Sequence, residues 1–243
     1  MDAGAGHAQR PLNPMPPPTN IDTPVSPQAA WGPLALARVL HAVVALAAAG
    51  GVGLELATAI IDGPGLAPTQ FERLVRLFSF FTIDSNLLIG GVCALLAFRP
   101  AHDGAVFRVL RLTAVLCIAV TGVVFHTVLT GLRELTPSGE LANFLLHTVT
   151  PLGAVLGWLC VGPRPRTDRG TIARAMLLPL AWIAYTFVRG AFVDWYPYPF
   201  MDVTKIGLAR AALNSAAVAV VFLALAFGLR WLEKRLPPAP ASA

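Results

Sequence analysis

Six stretches of this 243-residue sequence are each long and apolar enough to cross a bilayer, which leaves few folds open. They run Leu34–Ile61, Arg76–Phe98, Phe107–Gly131, Leu141–Val161, Ile172–Val193 and Ile206–Trp231. A helix needs roughly 20 mostly apolar residues to span the hydrocarbon core. Charged residues make up only 13% of the chain, against about 25% in soluble domains. The expected fold is all-α: a polytopic membrane protein forming one bundle of six transmembrane helices over residues 34–231.

Basic residues set the expected orientation. Of 18 Lys and Arg, 12 fall on one side of the six spans, among them Arg38, Arg99, Arg108, Arg111, Arg164 and Arg230. The positive-inside rule then puts both termini in the cytoplasm of a cell-membrane protein. The net charge of +5 is accounted for by topology, and no nucleic-acid partner is expected. Residues 1–33 are Pro-rich with no basic-then-apolar leader, and read as a disordered cytoplasmic tail. Residues 232–243 read likewise. Cys93, Cys117 and Cys160 fall within helices without metal-ligand spacing, so neither disulfide, metal nor cofactor is expected.

The second span poses a problem. FFTIDSN, Phe80 to Asn86, places Thr82, Asp84, Ser85 and Asn86 inside it. A carboxylate at the bilayer centre costs about 2.5–3.5 kcal/mol on insertion scales. Counting inward at about 1.5 Å per residue, Thr82 lies ~9 Å below Arg76, His126 ~10 Å below Arg133, and His147 ~10 Å below Glu140. Tyr185, Arg189 and Asn214 fall at similar depth on their own spans. Polar pairs four apart share a helix face: Thr82/Asn86, His126/Thr130, Asn143/His147, Tyr185/Arg189 and Arg210/Asn214. The inner halves hold only His41, Thr113 and Thr121 as isolated polar residues. The pattern implies a polar cavity near the outer surface over a dry floor.

Ordinary roles compete with that reading. A Thr in a membrane helix commonly bonds its own backbone, and a His or Asn commonly joins two helices. Asp84 and Arg189 are the one plausible buried ion pair. The DWYPYPFMD segment, Asp194 to Asp202, suits either an interfacial aromatic belt or a lid over the cavity. As chemistry, Thr82 is a candidate nucleophile with His147 as its base. Asn86, Asn143 and Arg189 are candidate oxyanion donors. His126, Tyr185 and Asn214 join them as candidate substrate-binding residues. Soluble-enzyme motifs such as GxSxG and HExxH are absent.

FFTIDSNLL, NFLLHTVTP and WYPYPFMDV resemble the three blocks of the androgen-induced and androgen-dependent membrane protein family, particularly its six-helix bacterial branch. The resemblance spans about Leu34 to Trp231. It implies a multi-pass fold and, by analogy with animal members, threonine-dependent hydrolysis of fatty-acid esters of hydroxy fatty acids. Thr82 matches that family's catalytic Thr. Asn143, His147 and Thr148 match its Asn-x-x-x-His-Thr motif, and Tyr198, Pro199 and Phe200 its Tyr-Pro-Phe. The expected function is therefore intramembrane hydrolysis of lipid (fatty-acyl) esters. The alternatives are a non-catalytic lipid-binding membrane protein and a transporter.

Overall fold

A computed structural model of the chain describes Met1 and residues 27–131, 135–164 and 167–237, with helix side chains from Leu34 onward. Most of the expected N-terminal tail (2–26) and the last tail residues (238–243) lie outside the described residues, as do Arg133 and Arg166. Among the described residues the fold is all-α, a polytopic bundle with six helical spans long and apolar enough to cross a membrane.

The first span belongs to α1 (Pro27–Ile61). After a short amphipathic α2 (Gln70–Leu77), the second span is α3 (Phe81–Phe98). The third joins α4 (Ala105–Val124) to a π-helical turn, Phe125–Leu129. The fourth runs α5 (Pro137–Phe144), a second π-turn (Leu145–Val149) and α6 (Thr150–Cys160). The fifth is α7 (Arg169–Ala175) with α8 (Leu177–Val193). A 3₁₀ turn (Pro199–Met201) and α9 (Val203–Ile206) lead to the sixth, α10 (Leu208–Glu233).

The second span is shorter than the sequence suggests. Arg76 belongs to α2, which Thr69 caps by accepting a bond from the Glu72 amide at 3.1 Å. The chain then breaks at Phe78–Phe80. Ser79 stabilises the break: its hydroxyl donates to the Val75 carbonyl at 2.7 Å, while its own carbonyl accepts from Trp182 Nε1 at 3.2 Å. A carbonyl turned out of the helical ladder thus keeps a partner, as a buried polar group must. Thr82 consequently sits in the first turn of α3, not two turns down a continuous helix.

Prolines disturb two other spans in the same way. Pro151 has no N–H to return to the preceding turn, where the π register already pairs the Thr150 amide with the Leu145 carbonyl. The Leu146 carbonyl accepts instead from Asn86 Nδ2 at 3.2 Å, tying α3 to the fourth span. Pro179 similarly cannot reach Ala175, whose carbonyl meets Thr113 Oγ1 at 3.5 Å. Close packing completes the arrangement. A Cβ on Gly122 of α4 would lie 2.9 Å from Pro151, so only glycine allows these spans to approach so closely.

The core forms two main apolar clusters, one joining α3, α4, α7 and α10 and the other joining α1, α3, α4 and α6. The half of the bundle read from the sequence as a dry floor is not uniformly dry, which corrects that expectation. Arg111, expected at the cytoplasmic surface, is 1% exposed. Its guanidinium donates to His41 Nε2 at 3.3 Å and approaches Cys93 Sγ at 3.8 Å. His41 is therefore one end of an interhelical contact, and Thr121 is another, 2.8 Å from Ser85 Oγ.

Candidate active site

Thr82 and His147 come together from different spans. Thr82 Oγ1 lies 3.2 Å from His147 Nε2. The other ring nitrogen, Nδ1, donates to the Asn143 carbonyl at 3.1 Å. A proton committed to Nδ1 leaves Nε2 bare and ready to accept from the threonine hydroxyl. The ring is held flat against Phe125, with centroids 4.1 Å apart and planes inclined by 23°. Both histidines of this region, His126 and His147, lie in π-turns, which recur at functional sites because they re-aim side chains within a helix.

Thr82 is fixed from the opposite side by Tyr198. The first amides of a helix have no intrahelical acceptor. In α3 the Ile83 and Asp84 amides turn back to the Phe80 carbonyl, while the Thr82 amide donates to the Tyr198 hydroxyl at 3.2 Å. That hydroxyl is also 3.2 Å from Thr82 Oγ1. Burial pushes the Tyr198 phenol up to about 12, so it keeps its proton across the neutral range. The expected aromatic segment after the fifth span thus folds down onto the second.

That segment is pinned in several places. Both the Arg76 and the Arg189 guanidiniums lie near the Trp195 ring, 5.1 and 5.2 Å from its centroid. Glu72 joins the same two arginines, 2.9 Å from Arg76 Nε and 2.6 Å from an Arg189 nitrogen. Asn214 Nδ2 donates to the Phe200 carbonyl at 2.8 Å.

A cavity of about 430 Å³ opens beside the Thr82–His147 contact. His126, Asn143, Tyr198, Pro199 and Glu55 contribute to its wall. His126 reaches Thr148 across the helix pair, Nε2 to Oγ1 at 3.2 Å. A second, almost wholly apolar pocket also has Thr82 in its wall.

Several expected site residues have other duties. Asn86 is fully buried and gives its amide to the Thr82 carbonyl at 2.8 Å as well as to Leu146, so it braces the site from behind rather than facing the cavity. Arg189 pairs with Glu72, and the expected Asp84–Arg189 ion pair does not form. Tyr185 bonds Ser79 at 2.8 Å and supports the break before α3. Asn214 holds the aromatic segment. Of the three expected oxyanion donors, only Asn143 contributes to the cavity wall.

Glu55 and Tyr198 are the additions. Glu55 is the only carboxylate within the Leu34–Ile61 window, a signal of the same kind as Asp84 in its own span. Tyr198 was legible as the tyrosine of the Tyr-Pro-Phe block and as part of the aromatic segment, but without a role at Thr82. No family model, curated protein or solved structure matches this chain.

Proposed function

We propose that this chain is an integral membrane hydrolase of lipid (fatty-acyl) esters, with Thr82 as nucleophile and His147 as general base. The observation that carries this reading is the 3.2 Å contact between Thr82 Oγ1 and a His147 Nε2 whose tautomer is set by the Asn143 carbonyl. A hydroxyl becomes a competent nucleophile when a positioned base takes its proton. Thr82 attacks the ester carbonyl carbon as its proton passes to Nε2. The tetrahedral oxyanion draws on the Tyr198 hydroxyl and on the positive end of α3, where charge development is favoured. Collapse breaks the bond to the alcohol, which leaves with the proton from His147. Water, deprotonated by the same ring, then releases the acid and restores Thr82.

The likeness of FFTIDSNLL, NFLLHTVTP and WYPYPFMDV to the androgen-induced and androgen-dependent family supports the same assignment. The distribution of Arg and Lys supports cytoplasmic termini, with the polar cavity toward the outer face.

The test uses purified protein in detergent with fluorescent acyl esters and a fluorophosphonate probe. Wild type turns over ester and is labelled at Thr82. Thr82→Ala and His147→Ala each lose about 100-fold or more of kcat/KM. Equal turnover by all three proteins ends the catalytic reading. Absence of both turnover and labelling, with lipid still bound, assigns a non-catalytic lipid-binding role instead.

A further inference from the structure

Thr82 stands in the wall between two unlike cavities, and the difference fixes how an ester would lie across it. The wider cavity carries Glu55, His126, Asn143 and His147. The second is a narrow slot of about 40 Å³, walled by Phe81, Trp182, Ile183, Val218 and Phe222 among others. Thr82, Leu129 and Tyr198 line both. Hydroxyls in the slot present little to a ligand. Thr121 donates to the Cys117 carbonyl at 3.0 Å and Ser215 to the Ala211 carbonyl at 2.9 Å. Along α10 the wall runs from Ser215 to Phe222, about 10 Å of helix. Phe222 is 2% exposed and meets Phe81 edge-on, with centroids 5.9 Å apart.

We propose that this slot binds the acyl chain of the substrate, with Val218 and Phe222 setting the chain length accepted, while the alcohol half occupies the polar cavity. The proposal rests on the hydrolase assignment and adds a direction to it. The leaving alkoxide must take its proton from His147, and His147 contributes to the wall of the polar cavity only. Water for the second step needs the same base and therefore the same cavity. With alcohol and water on that side, the slot, whose wall also includes Thr82, is left for the acyl chain. A narrow, apolar channel without an unpaired donor suits a single polymethylene chain. It would expel no strongly held water on filling.

The experiment compares p-nitrophenyl acetate, octanoate and palmitate as substrates. Val218→Phe narrows the slot without touching Thr82 or His147. It is expected to cut kcat/KM for octanoate and palmitate at least tenfold while leaving acetate within twofold. Phe222→Ala lengthens the slot and is expected to shift the preference toward palmitate. Unchanged ester ratios in both variants overturn the proposal. A second measurement uses wild type alone: a fatty acid carrying a terminal diazirine is photolysed in place and its attachment mapped by mass spectrometry. Labelling of Trp182, Val218 or Phe222 supports the slot; labelling confined to the polar cavity, around His126 and Leu135, overturns it. If none of the three esters is hydrolysed by wild type, the hydrolase assignment fails, and the photolabel still decides the slot.

Discussion

The Tyr198 hydroxyl is equidistant from the amide nitrogen and the side-chain oxygen of Thr82, 3.2 Å from each, so one phenol both caps α3 and faces the candidate nucleophile. The two duties separate in Tyr198→Phe. Loss of the cap leaves a buried amide unpaired, at a cost of about 1–3 kcal/mol, read as a lower midpoint in thermal unfolding. Loss of the donor lowers kcat by about 10- to 100-fold with KM little changed. A variant with normal kcat would remove Tyr198 from the oxyanion site.

Asn86 and Pro151 form a coupled pair through the Leu146 carbonyl. Asn86→Leu strands the Leu146 carbonyl, while the Thr82 carbonyl keeps the Ser85 hydroxyl at 3.1 Å, and is expected to destabilise the bundle by about 1–3 kcal/mol. Pro151→Ala supplies an N–H that can serve Leu146 locally. In a double-mutant cycle the two substitutions should therefore be less damaging together than the sum of the singles. Simple additivity, measured by thermal unfolding in detergent, would disconnect them.

Glu72 gives a pH dependence with a defined sign. Its hydrogen bond from Arg76, reinforced by Arg189, holds the carboxyl below the usual carboxylate range against the opposing effect of burial. A group whose pKa is depressed on folding stabilises the fold above its unfolded value, and that contribution is lost as the pH falls through the folded value. Wild type should therefore outlast Glu72→Gln at neutral pH, with the difference shrinking on acidification below the ordinary carboxylate range. Thermal midpoints across that range check it, and a gap that stays constant or widens on acidification contradicts it.

Gly190 makes room for the aromatic segment. A Cβ there would overlap the Tyr196 ring. Gly190→Ala is expected to lift the segment from α8, costing about 1–3 kcal/mol by overpacking. Limited proteolysis between Asp194 and Asp202 should accelerate. An unchanged digestion pattern would show that the segment accommodates the extra carbon.

The six spans were legible because length and apolarity act over many residues at once. Thr82 and His147 were legible as candidates because a polar side chain in a spanning helix stands out against its neighbours. The break before α3 was not legible, since FSFF is as apolar as the helix after it and the turn depends on Ser79 meeting Trp182 and Tyr185 from a distant span. Neither π-turn leaves a distinct local pattern. Depth alone did not report that Arg189 pairs with Glu72 or that Asn214 bonds the Phe200 carbonyl, because side chains at one level still face different neighbours around each helix. Arg111 was read from its sign and its place near a span end, neither of which reports that His41 would enclose it.

That enclosure gives the contact between α1 and α4 a condition of its own. His41 Nδ1 is committed to the Ala37 carbonyl at 2.7 Å, so Nε2 can serve Arg111 only while it carries no proton. Adding one would set two cations against each other where no carboxylate among the described residues forms an ion pair with either. The seam between α1 and α4 thus depends on an imidazole remaining neutral, and this contact, which shares no residue with the candidate site, carries an acid-labile fastening of its own.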